Sequence, residues 1–269
     1  MTRMPDTPAS PWLVTHGPRP AGTPRLRLVC FSYAGGSAGI YQPWRAGLDP
    51  SIELCAIQLP GRSTRIREAP LRDFPALVRQ LCPLFVGDPR VPFAFFGHSL
   101  GALVAFEVTR QLRLRQYRGP QKLIVSGAAA PQRRSVIEPL DEDDDRKMVE
   151  ALARYKGTPA AVLENRELMQ LLAPAIRADF ALAAHYRYRP GPSLDLPLSV
   201  FAGRQDENTP EQAEAWRLES RGPFGLHWFD GDHFFLHARQ AEVVARLNAE
   251  LAPEALAPSI LPSPTVMSL

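Results

Sequence analysis

The chain has 269 residues, 45% hydrophobic and 22% charged, with 31 basic against 28 acidic side chains for a formal charge of +3. These proportions exclude a largely disordered or membrane-embedded chain, and so small and dispersed a positive excess excludes nucleic acid as a leading partner. The length suits one α/β core carrying an insertion.

The first residues, MTRMPDTPASPW, lack the apolar core of a secretory signal, and no stretch of about 18 apolar residues follows anywhere, so a cytoplasmic protein without a membrane partner is expected. Residues 1–24 are rich in Pro, Thr and Gly without periodicity and read as an N-terminal arm. From Arg25 onward short apolar runs appear at LRLVCF (26–31), IELCAIQL (52–59), FAFFG (93–97), KLIVSG (122–127), LSVFAG (198–203) and LHWF (226–229), alternating with segments of helical period. That alternation predicts an α/β core, residues 25–130 and 191–251, with a mostly parallel sheet flanked by helices. Cys30 and Cys55 fall inside two of these runs, and with Cys82 they make an odd set without CxxC spacing. Reduced core thiols are expected, and no metal site.

Asp73 is placed to cap the run FPALVRQLCPLF, which Pro83 should shorten or kink. Between Pro131 and Pro190 the strand signal vanishes and helical patterning replaces it, so residues 131–190 are expected to form an inserted helical lid. The acidic run Asp141 to Asp145 reads as a helix start that complements the helix dipole. Pro174 is expected to begin a new helix or bend an existing one. Thr209, Pro210 and Gln212 spell a reciprocal cap for a helix that begins just after Asp206. After Ala252 the Pro-rich, aperiodic residues 252–269 read as a flexible tail.

The chemistry is carried by Gly97-His98-Ser99-Leu100-Gly101, which lies between an apolar strand run and a helical one. A G-x-S-x-G sequence in that context is a nucleophile elbow, with the serine oxygen pushed outward from a tight turn and a helix N-terminus behind it. Serine needs a base, and in this arrangement the base lies late in the chain. Of six histidines, His16 lies in the arm, His98 beside the serine, His185 in the lid, His227 in a strand and His237 at the start of the last helix. His233, in the loop after the run LHWF, is the candidate. The chain order Ser, Asp, His points to Asp206, just past LSVFAG, as the acid that orients His233, with Glu207 as the alternative. The oxyanion donors are expected to be the amide of Leu100 and, from the loop Phe31–Ser37 with its paired glycines, that of Ala34.

These residues, with FSYAGG at 31–36, QLPGR at 58–62, GTPAAVLEN at 157–165, IRADFALAAHYRYRPG at 176–191, GRQDENTPEQAEAW at 203–216 and GDHFFL at 231–236, resemble the type II thioesterases of polyketide and nonribosomal peptide biosynthesis. The resemblance spans residues 26–250 and departs from the family pattern at Ser32, usually Pro, and at Leu100, often Met. It implies the α/β-hydrolase fold and hydrolysis of acyl groups from the phosphopantetheine arm of acyl or peptidyl carrier proteins, an editing role. It implies no cofactor, since phosphopantetheine belongs to the substrate. The triad alone leaves open a carboxylesterase, an acyltransferase or a non-catalytic acyl-binding module. Met148, Leu152, Met169, Leu172, Ile176 and Phe180 fall at helical spacing in the lid and are candidates for lining an acyl chamber. Carrier proteins are generally acidic, which makes Arg62, Arg65 and Arg67 the candidate docking cations, ahead of Arg110, Arg113, Arg115 and Arg118 at the far end of the helix behind Ser99. Acyl length, partner synthase and oligomeric state have no signature in the residues.

Overall fold

A computed structural model describes residues 10–18, 20, 22–86, 91–140, 145–155 and 160–256. Seven strands form one sheet in the order β1-β3-β2-β4-β5-β6-β7. They are β1 (Leu13–His16), β2 (Leu26–Phe31), β3 (Ile52–Ile57), β4 (Phe93–His98), β5 (Leu123–Ser126), β6 (Leu198–Gly203) and β7 (Phe224–Phe229). All neighbours pair in parallel except β1, which runs antiparallel along β3. Strands β3 to β6 are buried at every residue, which is why they read as continuous apolar runs. Alternate residues feed two cores. Val29, Phe31, Phe95, Leu123 and Val200 point to one face of the sheet, and Leu28, Cys30, Phe96, Ile124 and Phe201 to the other.

Helices α1 (Phe74–Leu81) and α2 (Leu100–Leu114) cover the first face, and α8 (Gln240–Glu250) the second. Ala76 N–H donates to the Asp73 carboxylate at 2.7 Å, and α1 stops at Leu81, two residues before Pro83. The cap at Thr209 forms in both directions at the start of α6 (Pro210–Glu214), Thr209 N–H to Gln212 at 2.9 Å and Gln212 N–H to Thr209 at 3.3 Å. Between β5 and β6 lie α3 (Asp145–Tyr155), α4 (Ala160–Leu163) and α5 (Arg166–His185), which roof the carboxyl ends of the strands. Asp145 stands in the first turn of α3, and the rest of that acidic run, 141–144, lies outside the described residues.

Two expectations need correction, and a third is narrowed. The supposed arm contains β1, paired from Leu13↔Ile57 to His16↔Leu54, with the His16 ring buried and its Nε2 donating to Ala38 O at 2.9 Å. The parts of the arm before Ser10 lie outside the described residues. The tail begins later than Ala252, because Lys122 donates to Ala255 O and Leu256 packs on the core, while residues 257–269 are not described. Of the two outcomes expected at Pro174, a new helix is ruled out: α5 runs through it from an Asn165 cap. A proline removes one helical donor, and the buried row Met169, Ala173, Ile176 and Phe180 supplies packing along the same helix that offsets that loss.

Strand β2 connects onward to β3 on one side and β4 to β5 on the other, so the chain direction switches between β2 and β4. In open α/β sheets ligands bind at such a switch, beyond the carboxyl ends of the strands.

Candidate active site

Ser99 closes β4 and precedes α2 with φ +55° and ψ −117°, a conformation that L residues rarely adopt. The surrounding packing imposes it. Ser99 N–H donates to Ser126 O on β5 at 2.8 Å, and neither motif glycine has room for a side chain. A Cβ at Gly97 would stand 2.2 Å from Gly101 O, and one at Gly101 would stand 2.1 Å from Phe31 O. Only glycine lets α2 start this close to the end of β2, and that closeness brings Leu100, the first residue of α2, beside the loop after β2. Leu100 N–H is one of the four amides that a helix start leaves without an intrahelical acceptor, and both Leu100 and Ala34 line the cleft.

The loops after β6 and β7 are laced together. Gln205 N–H donates to Gly231 O at 3.0 Å, Gly231 N–H to Gln205 Oε1 at 2.5 Å, and a Cβ at Gly203 would stand 2.6 Å from Asp232 O. This brings Asp206 to His233, with Nδ1 3.0 and 3.2 Å from the two carboxylate oxygens. The Asp206 side chain is 3% exposed. Burial alone would raise its pKa, but the bond to His233, the charge there and the Asn208 N–H outweigh that and hold the carboxyl below its usual range. Glu207, by contrast, is exposed at the rim of the cleft. Ser99, Asp206 and His233 line the same cleft, of about 1780 Å³.

His98 packs behind this group. It is wholly buried, its Nδ1 lies 2.9 Å from Ser126 Oγ, and its ring centroid is 5.1 Å from that of His233. Burial, with His233 and His237 nearby, keeps its pKa well below the ordinary value against the pull of Asp206, so it stays neutral beside His233. Tyr33 fastens the loop after β2 to the last turn of the site: its hydroxyl lies 2.9 Å from His237 Nε2 and its ring meets Phe234 edge-on at 4.8 Å. Burial raises the Tyr33 hydroxyl to about 12, so it remains protonated.

Of the six lid side chains, Leu152, Met169, Leu172, Ile176 and Phe180 line the cleft. Met148 instead packs inside the roof, 1% exposed against Leu152 and its neighbours. The docking cations require a larger correction. Arg62 is buried in an ion pair with Asp179 of α5. Arg65 is buried beneath Trp12, 4.0 Å from its ring, and bonded to Glu68 and to Gln58 O. Buried and paired guanidiniums do not meet a partner protein, and Arg67 is the exposed member of the three.

A family model described as a thioesterase domain matches residues 26–251. The chain belongs to the thioesterase family. It is 37% identical to the linear gramicidin dehydrogenase LgrE of Brevibacillus parabrevis over 90% of this chain and 93% of LgrE. It is 36% identical to the gramicidin S biosynthesis protein GrsT of Aneurinibacillus migulanus, over 86% and 92% of the two chains. Among solved structures it is similar to the type II thioesterase BorB from the borrelidin biosynthetic cluster, with a TM-score of 0.80 at 37% identity, over 89% of this chain and 97% of that one. The seven-stranded sheet with its helical roof is therefore an α/β-hydrolase fold, and this thioesterase is a serine hydrolase acting on thioesters.

Tyr33, Arg62, Asp179 and Phe234 lie in stretches that carry the family resemblance, but nothing in the sequence pattern gives their roles at the site, nor that of Ser126. Each is recognised by its contact with a residue far away in the chain.

Proposed function

We propose that the enzyme removes acyl groups from the phosphopantetheine arm of carrier proteins in a polyketide or nonribosomal peptide pathway, as an editing hydrolase. The observation that supports this best is the Asp206 carboxylate against His233 Nδ1 in the cleft that also holds Ser99 at its strained elbow. Asp206 holds the imidazole with a proton on Nδ1, so that Nε2 is the nitrogen that accepts one in the reaction. Ser99 Oγ attacks the thioester carbonyl as its proton passes to His233, and the Ala34 and Leu100 amides receive the oxyanion. Collapse breaks the carbon–sulfur bond and His233 returns the proton to the departing thiolate. Water then attacks the acyl-serine, again losing a proton to His233, and collapse breaks the carbon–Oγ bond, His233 returning that proton to Ser99 Oγ as the carboxylic acid leaves.

LgrE carries the name of a dehydrogenase, but the groups assembled here are those of acyl transfer, and that activity is not carried over to this chain. The helices over the cleft serve as its lid, and the apolar side chains of Leu152, Leu172 and Phe180 receive the acyl chain. The chemistry draws on no cofactor beyond the arm that the substrate brings. A cytoplasmic setting agrees with three buried thiols outside any disulfide and with the lack, among the described residues, of a helix long and apolar enough to cross a membrane.

The test is hydrolysis of matched acyl-carrier protein and acyl-coenzyme A by the parent and by Ser99→Ala, with products identified by mass. Expected are free acid and holo-carrier from the parent, a higher kcat/KM on the carrier, and no acyl-enzyme or product from Ser99→Ala. Acyl transfer to an alcohol or amine in place of water, or turnover surviving Ser99→Ala, would overturn the assignment.

A further inference from the structure

Arg62, in the loop after β3, and Asp179, on the roof helix α5, meet behind the cleft lining. They form a bidentate pair, Nη1 to Oδ2 at 2.5 Å and Nη2 to Oδ1 at 2.8 Å, with side chains 5% and 1% exposed. Taking two charges out of water costs several kcal/mol per ion, and apolar residues filling the same volume are often as stable or more so. Stability is thus a weak reason for such a pair, and its remaining bonds suggest a stronger one. Asp179 Oδ2 accepts from Gly35 N–H at 2.7 Å, and Arg62 Nη1 donates to Gly36 O at 3.1 Å.

Residues Tyr33 to Gly36 form a β-turn closed by Gly36 N–H to Tyr33 O at 2.9 Å, with Gly35 at φ +79°. A positive φ at the third residue is the mark of a type II turn. Types I and II differ by a flip of the peptide between the second and third residues. Here that is the Ala34–Gly35 peptide, and its N–H is the one Asp179 accepts. The carboxylate therefore selects one flip state, and Arg62 holds the carbonyl of Gly36, the last residue of the turn. The Ala34 amide belongs to the preceding peptide, whose carbonyl is Tyr33 O. In a trans peptide the two point in opposite directions, so closing the turn on Tyr33 O aims the Ala34 N–H away from it.

We propose that Asp179 and Arg62 are positioning residues for the oxyanion-binding turn, through which the roof helix α5 holds the Ala34 amide in place. This rests on the thioesterase reading of the Ser99 site. One consequence is that α5 is pinned to the core at Asp179, and Ile176 one turn earlier already touches Gly35, 3.4 Å from where its Cβ would stand. Opening of the cleft then falls to α3, α4 and the first turns of α5.

The test compares the parent with Asp179→Asn, Asp179→Leu, Arg62→Met and the double variant Asp179→Leu/Arg62→Met. Hydrolysis of butyryl-coenzyme A and of p-nitrophenyl butyrate is measured across pH, together with Tm. In the double variant no charge is left buried alone, so Tm should stay near the parent's. Its kcat should fall by roughly 10²-fold, the size of losing one oxyanion donor, with KM moving less than about threefold and the pH midpoint of kcat unchanged. Asp179→Asn, whose carbonyl still accepts from Gly35 N–H, should recover most of the kcat lost in Asp179→Leu. A double variant with parental kcat, or one whose kcat falls only in step with Tm without recovery by Asn, overturns the positioning role. A parent that turns over the ester and not the thioester instead refutes the thioesterase reading, and the ester series still decides the role of the pair.

Discussion

Replacing Gly101 with alanine would disturb the chemistry without touching a side chain that performs it. The new Cβ would stand 2.1 Å from Phe31 O and 2.7 Å from Ser32 O. A carbon and a carbonyl oxygen come to rest at about 3.3 Å or more, so the start of α2 and the end of β2 must part by about 1 Å. Those two segments carry Leu100 and lead into the turn that bears Ala34, so the separation falls on the spacing of the two proposed oxyanion donors. A misplacement of about 1 Å costs roughly 10²-fold in rate. Overpacking of about 1–3 kcal/mol, at about 2–4 °C per kcal/mol for a chain of this size, lowers Tm by roughly 2–12 °C. The assay is kcat and KM on an acyl-coenzyme A with Tm from thermal unfolding. Gly119→Ala serves as control, since no atom lies within 4 Å of its Cβ position and its φ is not positive. A Gly101→Ala enzyme with parental kcat would refute the reasoning, because the predicted separation could not then have occurred.

Asp206→Asn should lower kcat by roughly 10³-fold or more by disturbing the tautomer of His233, whereas Glu207→Gln should change it little; a silent Asp206→Asn reassigns the acid. Glu250 accepts from Ser199 at 2.5 Å and lies 2.6 Å from Lys122 and 2.8 Å from His227, with Arg246 at 4.0 Å. Burial favours its protonation, but the bonds from His227, Lys122 and Ser199 prevail and hold it well below the usual carboxylate range. Its stabilisation is therefore complete above about pH 4.3, where the unfolded glutamate is already ionised, and is lost as pH falls through the lower folded value. Glu250→Gln should cost about 3 kcal/mol at pH 7 by leaving buried Lys122 unpaired; a Tm gap that does not narrow from pH 5 to pH 3 would count against this. Leu172→Trp and Leu152→Trp should shift the preferred substrate to shorter acyl chains, measured across a C2 to C12 series of the kind used to bound a pocket. Met148→Leu, inside the roof, should leave the preference unchanged, and a shift there would show the chamber extends deeper than the lining side chains indicate.

The strands and the elbow were legible because their signals are local. Six parallel strands, most of them fully buried, leave six apolar runs, and a serine with a glycine two positions to either side describes its own turn. The contact of Asp206 with His233, the proposed acid and base, was anticipated from chain order, and the Asp73 and Thr209 caps from residues three positions apart. The arginines were not legible in this way. Arg62 and Arg65 sit among polar loop residues, where a guanidinium is ordinarily solvated, and the carboxylate that buries Arg62 is on a helix beyond two further strands. Strand β1 escaped notice because LVTH is four residues long, half-buried except at His16, and set between prolines. At Pro174 the residues left two outcomes open, and the helix continues because it has a well-packed buried face.

Strand β1 also bears on how the protein is handled. The matched family region starts at residue 26, and a fragment trimmed to that point would lose the antiparallel partner of β3. The sequence Ile-Glu-Leu-Cys-Ala-Ile would then become an unshielded edge, with a row of open amides and carbonyls on an apolar ribbon. Such an edge recruits other chains by the same bonds that held β1. Residues 10–17 thus act as a selvedge for the sheet, and expression fragments that keep them should remain dispersed where shorter ones precipitate.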